Sequence, residues 1–200
     1  MVHLGDYIYE TTDNPQFQDS SPDRAVTFSN TTGAIGFNIG TEDAYYAAAT
    51  IAQYRELYQI YRGDKDLQAV HERFPMIVIW DDQEYSDDCH GATATYFAGE
   101  QDELNIPRRK AANQAWYEYM PVDFRAPDFE YDPAVDWPND ISIYRDFQFG
   151  KHLHLVMTDL RTYRDDHIIP EDAFPGRVIL TEDDLVGLVG EVPEAAAAYV

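Results

Sequence analysis

A continuous apolar run, residues 76–80 (Met-Ile-Val-Ile-Trp), is the feature of this sequence that most constrains its fold, and residues 81–84 (Asp-Asp-Gln-Glu) follow it directly. Pro75 ends the helix predicted before the run, because proline removes a backbone donor and clashes with the preceding turn. With Ile, Val and Ile at its centre, the run is typical of a strand buried on both faces, although no period distinguishes it from a buried helix. The sequence therefore predicts a buried strand that ends in acidic residues.

Three helices are predicted around this strand. The first begins after Thr41, a residue type that caps helix N-termini well, and ends at the breaker Gly63. Asp66 is predicted to cap a second helix that ends before the apolar run, and Pro107 to open a third that ends before Pro121. Between the first cap and Gly63, aromatic and aliphatic residues recur at helical spacing, which favours this interpretation.

Strands and long loops alternate with these helices. Residues 2–4 form a short apolar segment that ends at Gly5-Asp6, a turn signal. The other predicted elements are strands at 141–144, 147–149 and 153–157, loops at 11–40 and 121–140, and a short helix from Thr181. The alternation of strands and helices indicates an α/β fold.

Acidic residues follow three of the predicted strands, at Asp6, at Asp81 with Asp82, and at Asp159. In open α/β folds, sites gather beyond the carboxyl ends of the strands, so we expect these side chains to converge on one crevice. Each position alone is a weak signal, because aspartate after a strand is also an ordinary turn residue.

The charge of the chain excludes several classes of partner. The 200 residues carry a formal charge of −23, which repels nucleic-acid phosphates and anionic lipid, so general nucleic-acid binding is not expected. A solvating surface, as in a salt-adapted organism, explains most of these acids. No apolar run is long enough to span a bilayer, and the opening MVHLGDYIYE has no signal-peptide pattern. The length fits one domain or part of one.

Four ordered blocks carry a resemblance to a known family: HLGDYIYE, RELYQIYRGDKDLQAVHERFPMIVIWDD, RRKAANQAWYEYMP and MTDLRTYR. Together they resemble successive blocks of the PhoD family of alkaline phosphatases and phosphodiesterases, over about residues 3–165. The resemblance implies a metallophosphatase-like sandwich of two sheets flanked by helices. It also implies that residues 1–200 form a partial domain, incomplete at both ends, because neither the family's upstream cysteine segment nor its late Gly-Asp-x-His block is present.

The same resemblance implies metal ligands. Asp6 falls on a carboxylate ligand, Tyr9 on the tyrosinate ligand of a ferric ion, and Asp82 on a further Asn or Asp ligand. A hard trivalent cation prefers anionic oxygen and lowers the pKa of a phenol enough to bind it deprotonated. Gly5 allows the tight turn that directs Asp6 into the site. The implied cofactors are Fe³⁺ and Ca²⁺, and the implied activity is hydrolysis of phosphate mono- or diesters.

Gln83 departs from the family pattern, which has histidine at this position. An imidazole can transfer a proton near neutral pH, whereas an amide can only donate a hydrogen bond. Two alternatives follow: an enzyme weakened at this position, or a non-catalytic acidic domain that keeps the fold and binds metal or another ligand. For the family, an extracytoplasmic location is expected.

Other candidates have simpler interpretations. His90 beside Asp87 and Asp88 is either a second cation site or, as we favour, part of a solvated acidic loop. We assign structural roles to His152 and His154, and no ligand role to Cys89. Arg108, Arg109 and Lys110 form either a solvated helix face or a phosphate contact. Asp159 with Arg161 is predicted to be an ion-paired support near the site.

Overall fold

The computed structural model describes residues 1–14, 18, 24–96, 101–122, 124 and 128–165. Its helices are α1 (Ile51–Arg62), α2 (Lys65–Arg73) and α3 (Ile106–Tyr119). Its strands are β1 (Val2–His3), β2 (Thr11–Thr12), β3 (Ile35–Phe37), β4 (Tyr45–Ala47), β5 (Ile77–Val78), β6 (Thr93–Tyr96), β7 (Gln101–Leu104), β8 (Arg145–Phe149) and β9 (Leu153–Met157). Among these described residues, no helix has the length and apolar composition needed to cross a membrane.

The strands form four small sheets in the described part of the chain. Strands β1 and β5 pair in parallel, β2, β4 and β3 form an antiparallel sheet in that order, and β6–β7 and β8–β9 are antiparallel hairpins. A mixed α/β fold is therefore confirmed. The two-sheet sandwich remains a prediction, because these four sheets are separate within the described residues.

The apolar run at 76–80 does form a strand, but a shorter one than predicted. Ile77 and Val78 pair with Val2 and His3 of β1, and Val78 is fully buried. The Arg145 side chain donates a hydrogen bond to the Val78 carbonyl and so satisfies this buried backbone group. The parallel pairing brings the carboxyl ends of β1 and β5 to one edge.

The start of α1 corrects the prediction at Thr41. Thr50 is the N-cap: its hydroxyl accepts a hydrogen bond from the Gln53 amide, and the Gln53 side chain accepts one from the Thr50 amide, which makes a capping box. The chain between Thr41 and Thr50 instead contains β4, whose pairing with β2 and β3 overrides the helical spacing. The predicted end at Gly63 is confirmed.

The cap of α2 is also displaced from its predicted position. Asp64, not Asp66, is the N-cap, and its carboxylate accepts hydrogen bonds from the amides of Asp66 and Leu67. The third helix was predicted well, since α3 has a proline in its first turn and ends before Pro121.

The prediction of a solvated basic face on α3 is wrong for Arg108 and Arg109, whose side chains are buried. Arg108 donates to the carbonyls of Ala48 and Tyr85, and its guanidinium lies over the Tyr85 ring. Buried carbonyls need donors, and Arg108 provides them to the chain after β4 and to the loop after β5. Arg109 instead donates to side-chain atoms of Asn113, Cys89 and Thr162. Lys110 is half-buried and donates to two loop carbonyls.

The core lies between α1, α3 and the chain after β5. Tyr54, Leu57 and Tyr58 of α1 are fully buried, as is Trp116 of α3. Trp80 packs edge-on against Trp116 with ring centroids 5.0 Å apart. Because Trp80 directly precedes Asp81, this packing fixes the backbone from which the acidic cluster extends.

Several predicted elements differ from the structure. The predicted loop at 11–40 contains β2 and β3, the hairpin β6–β7 was missed, and residues 141–144 precede β8 without forming a strand. The missed strands have two to four residues each, too few to show a period. The predicted helix from Thr181 lies outside the described residues.

Candidate metal centre

The two turns that follow β1 and β5 lie against each other, and Gly5 permits this contact. Its φ is +105°, and a Cβ built on it would be 2.1 Å from the Asp81 backbone nitrogen and 2.6 Å from the Trp80 carbonyl carbon. Only glycine fits such a backbone approach at a positive φ. The turn after β1 therefore carries Asp6 directly beside Asp81.

Three carboxylates form a cluster at this edge. Asp6, Asp81 and Asp82 each place one oxygen so that all three lie within 4.8 Å of one another. Asp6 is exposed, Asp81 half-buried and Asp82 buried, so the cluster opens to solvent on the side of Asp6. Asp6 and Asp82 were predicted ligands, and the structure brings them together; Asp81 is a third carboxylate that was not assigned.

The electrostatics of the cluster suit a cation. Partial burial, followed by the charges of Asp82 and Asp81, raises the pKa of Asp6 to about 6. Like charges this close disfavour ionisation, and a bound cation reverses that effect. Carboxylate oxygens are the donors that Ca²⁺ and other hard cations prefer, so the residues present fit a hard metal ion.

The carboxylate of Asp82 is fixed by backbone hydrogen bonds. One oxygen accepts from the Gln83 amide at 3.1 Å and the other from the Asp88 amide at 2.7 Å. Asp88 has a positive φ of 50°, which turns the loop back toward Asp82. A buried carboxylate held in this way loses little further freedom on binding a ligand.

Arg161 lies beside the cluster, in agreement with its predicted role as an ion-paired support. Its Nε is 2.6 Å from an Asp81 oxygen, and its other nitrogens are 3.4 Å from Asp82 and 3.7 Å from Asp88. Asp159 contributes differently, since one of its oxygens accepts hydrogen bonds from the Trp80 indole and from the amides of Arg161 and Thr162. Asp159 thus shapes the loop that carries Arg161.

Glu84 ties the two turns together. Its buried carboxylate accepts hydrogen bonds from the amides of Tyr7 (2.7 Å), Asp6 (3.1 Å) and Asp81 (2.8 Å). Burial raises the pKa of Glu84 to about 7, against the lowering effect of these amides. Glu10 has a related position: it is buried and accepts from the Asp87 amide at 2.9 Å, and burial raises its pKa to about 8.

Tyr9 is half-buried and lies in the field of the cluster. Burial, and then the charges of Asp6, Tyr61 and Asp82, raise the pKa of the Tyr9 phenol. The phenol is therefore protonated in this environment, and its binding as a phenolate requires a cation to reverse the local field.

Gln83 is buried, and its amide nitrogen donates to an Asp87 oxygen at 2.6 Å. Burial, followed by the charges of Asp88 and Asp82, raises the pKa of Asp87 to about 6. The Gln83 amide is thus engaged with the loop after β5, within one residue of Asp82.

The remaining candidates do not join the cluster. Among the described His, Cys, Asp and Glu side chains, the three aspartates form the group whose spacing suits a metal ion. His90 is not part of this group. The Cys89 thiol is buried, burial raises its pKa to about 11, and it contacts Arg109 at 3.6 Å. His154 bonds Asp146 at 2.9 Å on the exposed hairpin, in agreement with a structural role.

Glu84 is the residue that sequence reasoning missed, whereas Asp81 was expected in the same crevice but was not assigned as a ligand. Both lie in the acidic segment after the apolar run, so the signal was present. Their roles depend on the pairing of β1 with β5, which the sequence does not specify.

Parallel strand ends and a carboxylate cluster define this chain as an α/β protein with a candidate cation site. The family model for PhoD-like phosphatases matches residues 1–190, so the chain belongs to the PhoD-like phosphatase family. It is 33% identical over 168 residues to alkaline phosphatase D of Bacillus subtilis (strain 168). This alignment covers 83% of this chain and 24% of that protein.

A solved structure of PhoD is also similar, with a TM-score of 0.58 and 27% identity over 94% of this chain and 32% of that one. The resemblance read from the four sequence blocks is therefore confirmed. The chain spans about a quarter of the length of the curated relative (24%).

Proposed function

We propose that this chain forms part of a metal-dependent enzyme that hydrolyses phosphate mono- or diesters. The observation that carries the proposal is the convergence of Asp6 and Asp82 from two separate turns, in a chain of the PhoD-like phosphatase family. With its charge of −23, the chain as a whole repels a phosphate ester, so an anionic substrate needs local positive charge at its binding site.

We propose Asp6, Tyr9 and Asp82 as ligands, with Asp81 as an added carboxylate beside them. The hard donor set is compatible with Fe³⁺ at the phenolate and Ca²⁺ at the carboxylates. Such cations, when bound, polarise a phosphoryl oxygen and neutralise its developing charge.

The chain's own residues orient this set. The amides of Gln83 and Asp88 hold the Asp82 carboxylate, and Arg161 holds Asp81. Gly5 lets Asp6 approach from the other turn. These contacts pre-organise the ligands, which limits the freedom lost on metal binding.

Metal binding is the first test. We expect the chain to bind Ca²⁺ or Tb³⁺ in calorimetric titration, and Asp82→Ala to weaken the tightest site at least about tenfold, because it removes the ligand oxygen. Asp43→Ala, which removes an equal charge from an exposed loop, is the control and should bind as the unmodified chain does. Equal affinities for both variants would reject the assignment.

Hydrolysis is the second test. A chromogenic phosphodiester assay on metal-loaded protein should detect turnover that Asp6→Asn and Asp82→Ala abolish. Because the chain spans 24% of the curated relative, activity of the whole enzyme is best measured in a version extended at both ends.

A non-catalytic metal-binding domain is the alternative, and Gln83 favours it. The buried Gln83 amide bonds Asp87 and cannot exchange a proton. Loss of a general acid removes about 10²–10⁴-fold in rate. In the extended protein, Gln83→His should raise hydrolysis if the enzyme is merely weakened. Metal binding with no hydrolysis in either form supports the binding domain.

We also propose an extracytoplasmic location on the basis of the family resemblance. Fractionation of cells that produce the full-length protein tests this proposal, and recovery in the cytoplasmic fraction alone would reject it.

A further inference from the structure

We infer that Glu84 is the positioning residue of the metal centre: it sets the separation of the carboxylates without binding the cation itself. This inference rests on the proposed function, because it concerns the same cluster. It begins from the three hydrogen bonds that the Glu84 carboxylate accepts from two different turns.

The bonds divide between the two oxygens of Glu84. One accepts from the Tyr7 amide at 2.7 Å, and the other from the Asp6 amide at 3.1 Å and the Asp81 amide at 2.8 Å. The second oxygen therefore joins the backbones of two aspartates that are 75 positions apart in the chain. These are the backbones from which two of the three cluster carboxylates extend.

Glu84 shares this task with a hydrogen bond between the Gln83 backbone and the Asp6 carboxylate. Beyond β1 and β5 the strand ladder has ended, since the paired residues are Val2 with Ile77 and His3 with Val78. Gly5 permits contact between the turns but has no side chain to hold it. Three backbone amides from the two turns donate to this one side chain, so Glu84 fastens the turns where the ladder no longer does.

Both Glu84 oxygens are committed to amides and the residue is 3% exposed, so it does not extend into the cluster as a ligand. A small change in its reach shifts Asp6 relative to Asp81 and Asp82. Residues that orient metal ligands typically change metal affinity about 10–100-fold when replaced.

Two variants separate position from charge. Glu84→Gln keeps the length, but its single carbonyl oxygen cannot serve both sets of amides. Glu84→Asp keeps the charge, but it is one methylene too short to span both turns. Glu118→Gln is the matched control, because Glu118 also accepts three hydrogen bonds, two from Arg55 at 2.6 Å each and one from Gln114 at 2.9 Å, and joins α1 to α3 instead.

Terbium affinity at low temperature, followed by luminescence excited through tryptophan, provides the readout, with circular dichroism confirming that each variant is folded. We expect both Glu84 variants to bind Tb³⁺ about 10–100-fold more weakly, and Glu118→Gln to bind it normally. Unchanged affinity in both Glu84 variants would overturn the inference while leaving the metal centre intact. Weak binding by Glu84→Gln with normal binding by Glu84→Asp would also overturn it, because charge alone would then account for the effect.

Hydrogen exchange in the unmodified chain gives a second measurement that requires no variant to fold. If Glu84 couples the turns to the cluster, Tb³⁺ should slow exchange at the amides of Asp6, Tyr7 and Asp81 together. Protection of none of them would overturn the inference. Absence of any Tb³⁺ binding by the unmodified chain would remove the proposed centre, and the inference with it.

Discussion

Gly5→Ala is expected to be far more damaging than a single methyl group suggests. At φ +105° an alanine is conformationally strained, which costs about 1–3 kcal/mol. Its Cβ would also lie 2.1 Å from the Asp81 nitrogen and 2.5 Å from the Asp81 Cβ, so the two turns must separate. Overpacking of this kind typically costs a further ~1–3 kcal/mol, which gives a total loss of about 2–6 kcal/mol.

Gly40→Ala is the matched control for this prediction. Gly40 has a similar φ of +92°, but nothing lies within 4 Å of a Cβ built there. It carries the conformational strain alone, about 1–3 kcal/mol. The difference between the two variants therefore isolates the collision between the turns.

Urea unfolding followed by tryptophan fluorescence measures both losses, since buried Trp80 precedes Asp81 directly. We expect Gly5→Ala to lose more stability than Gly40→Ala and also to bind Tb³⁺ more weakly. Equal losses, with unchanged metal affinity in Gly5→Ala, would refute the reasoning that the two turns are in contact.

Three further predictions concern the rest of the chain. Thr50→Ala should lower the free energy of unfolding by about 1 kcal/mol, because it removes the cap of α1. Thr41→Ala, the control, should change it by less than about 0.5 kcal/mol. Urea titration measures both changes. Arg108→Leu should lower the free energy of unfolding by about 2–5 kcal/mol, because it leaves buried carbonyls without donors. Lys110→Leu should lower it by less than half as much. Equal losses for the two variants in thermal unfolding would contradict the burial of Arg108. Burial, followed by Arg62 and His3, lowers the pKa of His71, so the unfolded chain binds the proton first. The contribution of His71 to stability is fully present above the ordinary pKa of 6.5 and is lost as the pH falls through and below that value. When urea midpoints are compared at about pH 7.5 and about pH 5.5, His71→Gln should therefore gain stability relative to the unmodified chain as the pH falls, because the carboxyl groups with raised pKa values are common to both proteins.

Where the sequence predicted the fold correctly, local chemistry decides the outcome. Gly63 ends α1 because glycine is a weak helix former, and Pro121 follows the end of α3 because proline cannot continue a helix. Two residues of the apolar run, Ile77 and Val78, form strand β5, in which Val78 is fully buried. Acids that follow two such strands meet at one edge once the strands pair in parallel, and so Asp6 and Asp82 lie close together.

Where prediction failed, tertiary contacts decide. Tyr45–Ala47 was read as the start of a helix because of its spacing with later residues, but pairing with two other strands makes it β4. Arg108 and Arg109 look like a solvated face until their buried acceptors are known, which are backbone carbonyls for Arg108 and side-chain atoms for Arg109. Glu84 is one acid among many in the sequence, and only the arrangement of three amides distinguishes it.

Arg161 provides a final test of the cluster, because it and a bound cation act on the same carboxylates. Its guanidinium lies 2.6 Å from Asp81 and 3.4 Å from Asp82, with little exposure to solvent. Arg161→Gln should lower the free energy of unfolding in calcium-free buffer by about 3–5 kcal/mol, since it leaves these carboxylates without their countercharge.

Calcium should restore more stability to this variant than it adds to the unmodified chain. The fixed positive charge of Arg161 no longer opposes the cation, and each tenfold gain in affinity is worth about 1.4 kcal/mol at saturating calcium. Arg55→Gln, which breaks a pair with Glu118 between α1 and α3, should lose stability without any change in the calcium effect. An equal or smaller calcium effect in Arg161→Gln, measured by thermal unfolding, would mean that Arg161 serves the site by orienting Asp81 and not by sharing its charge.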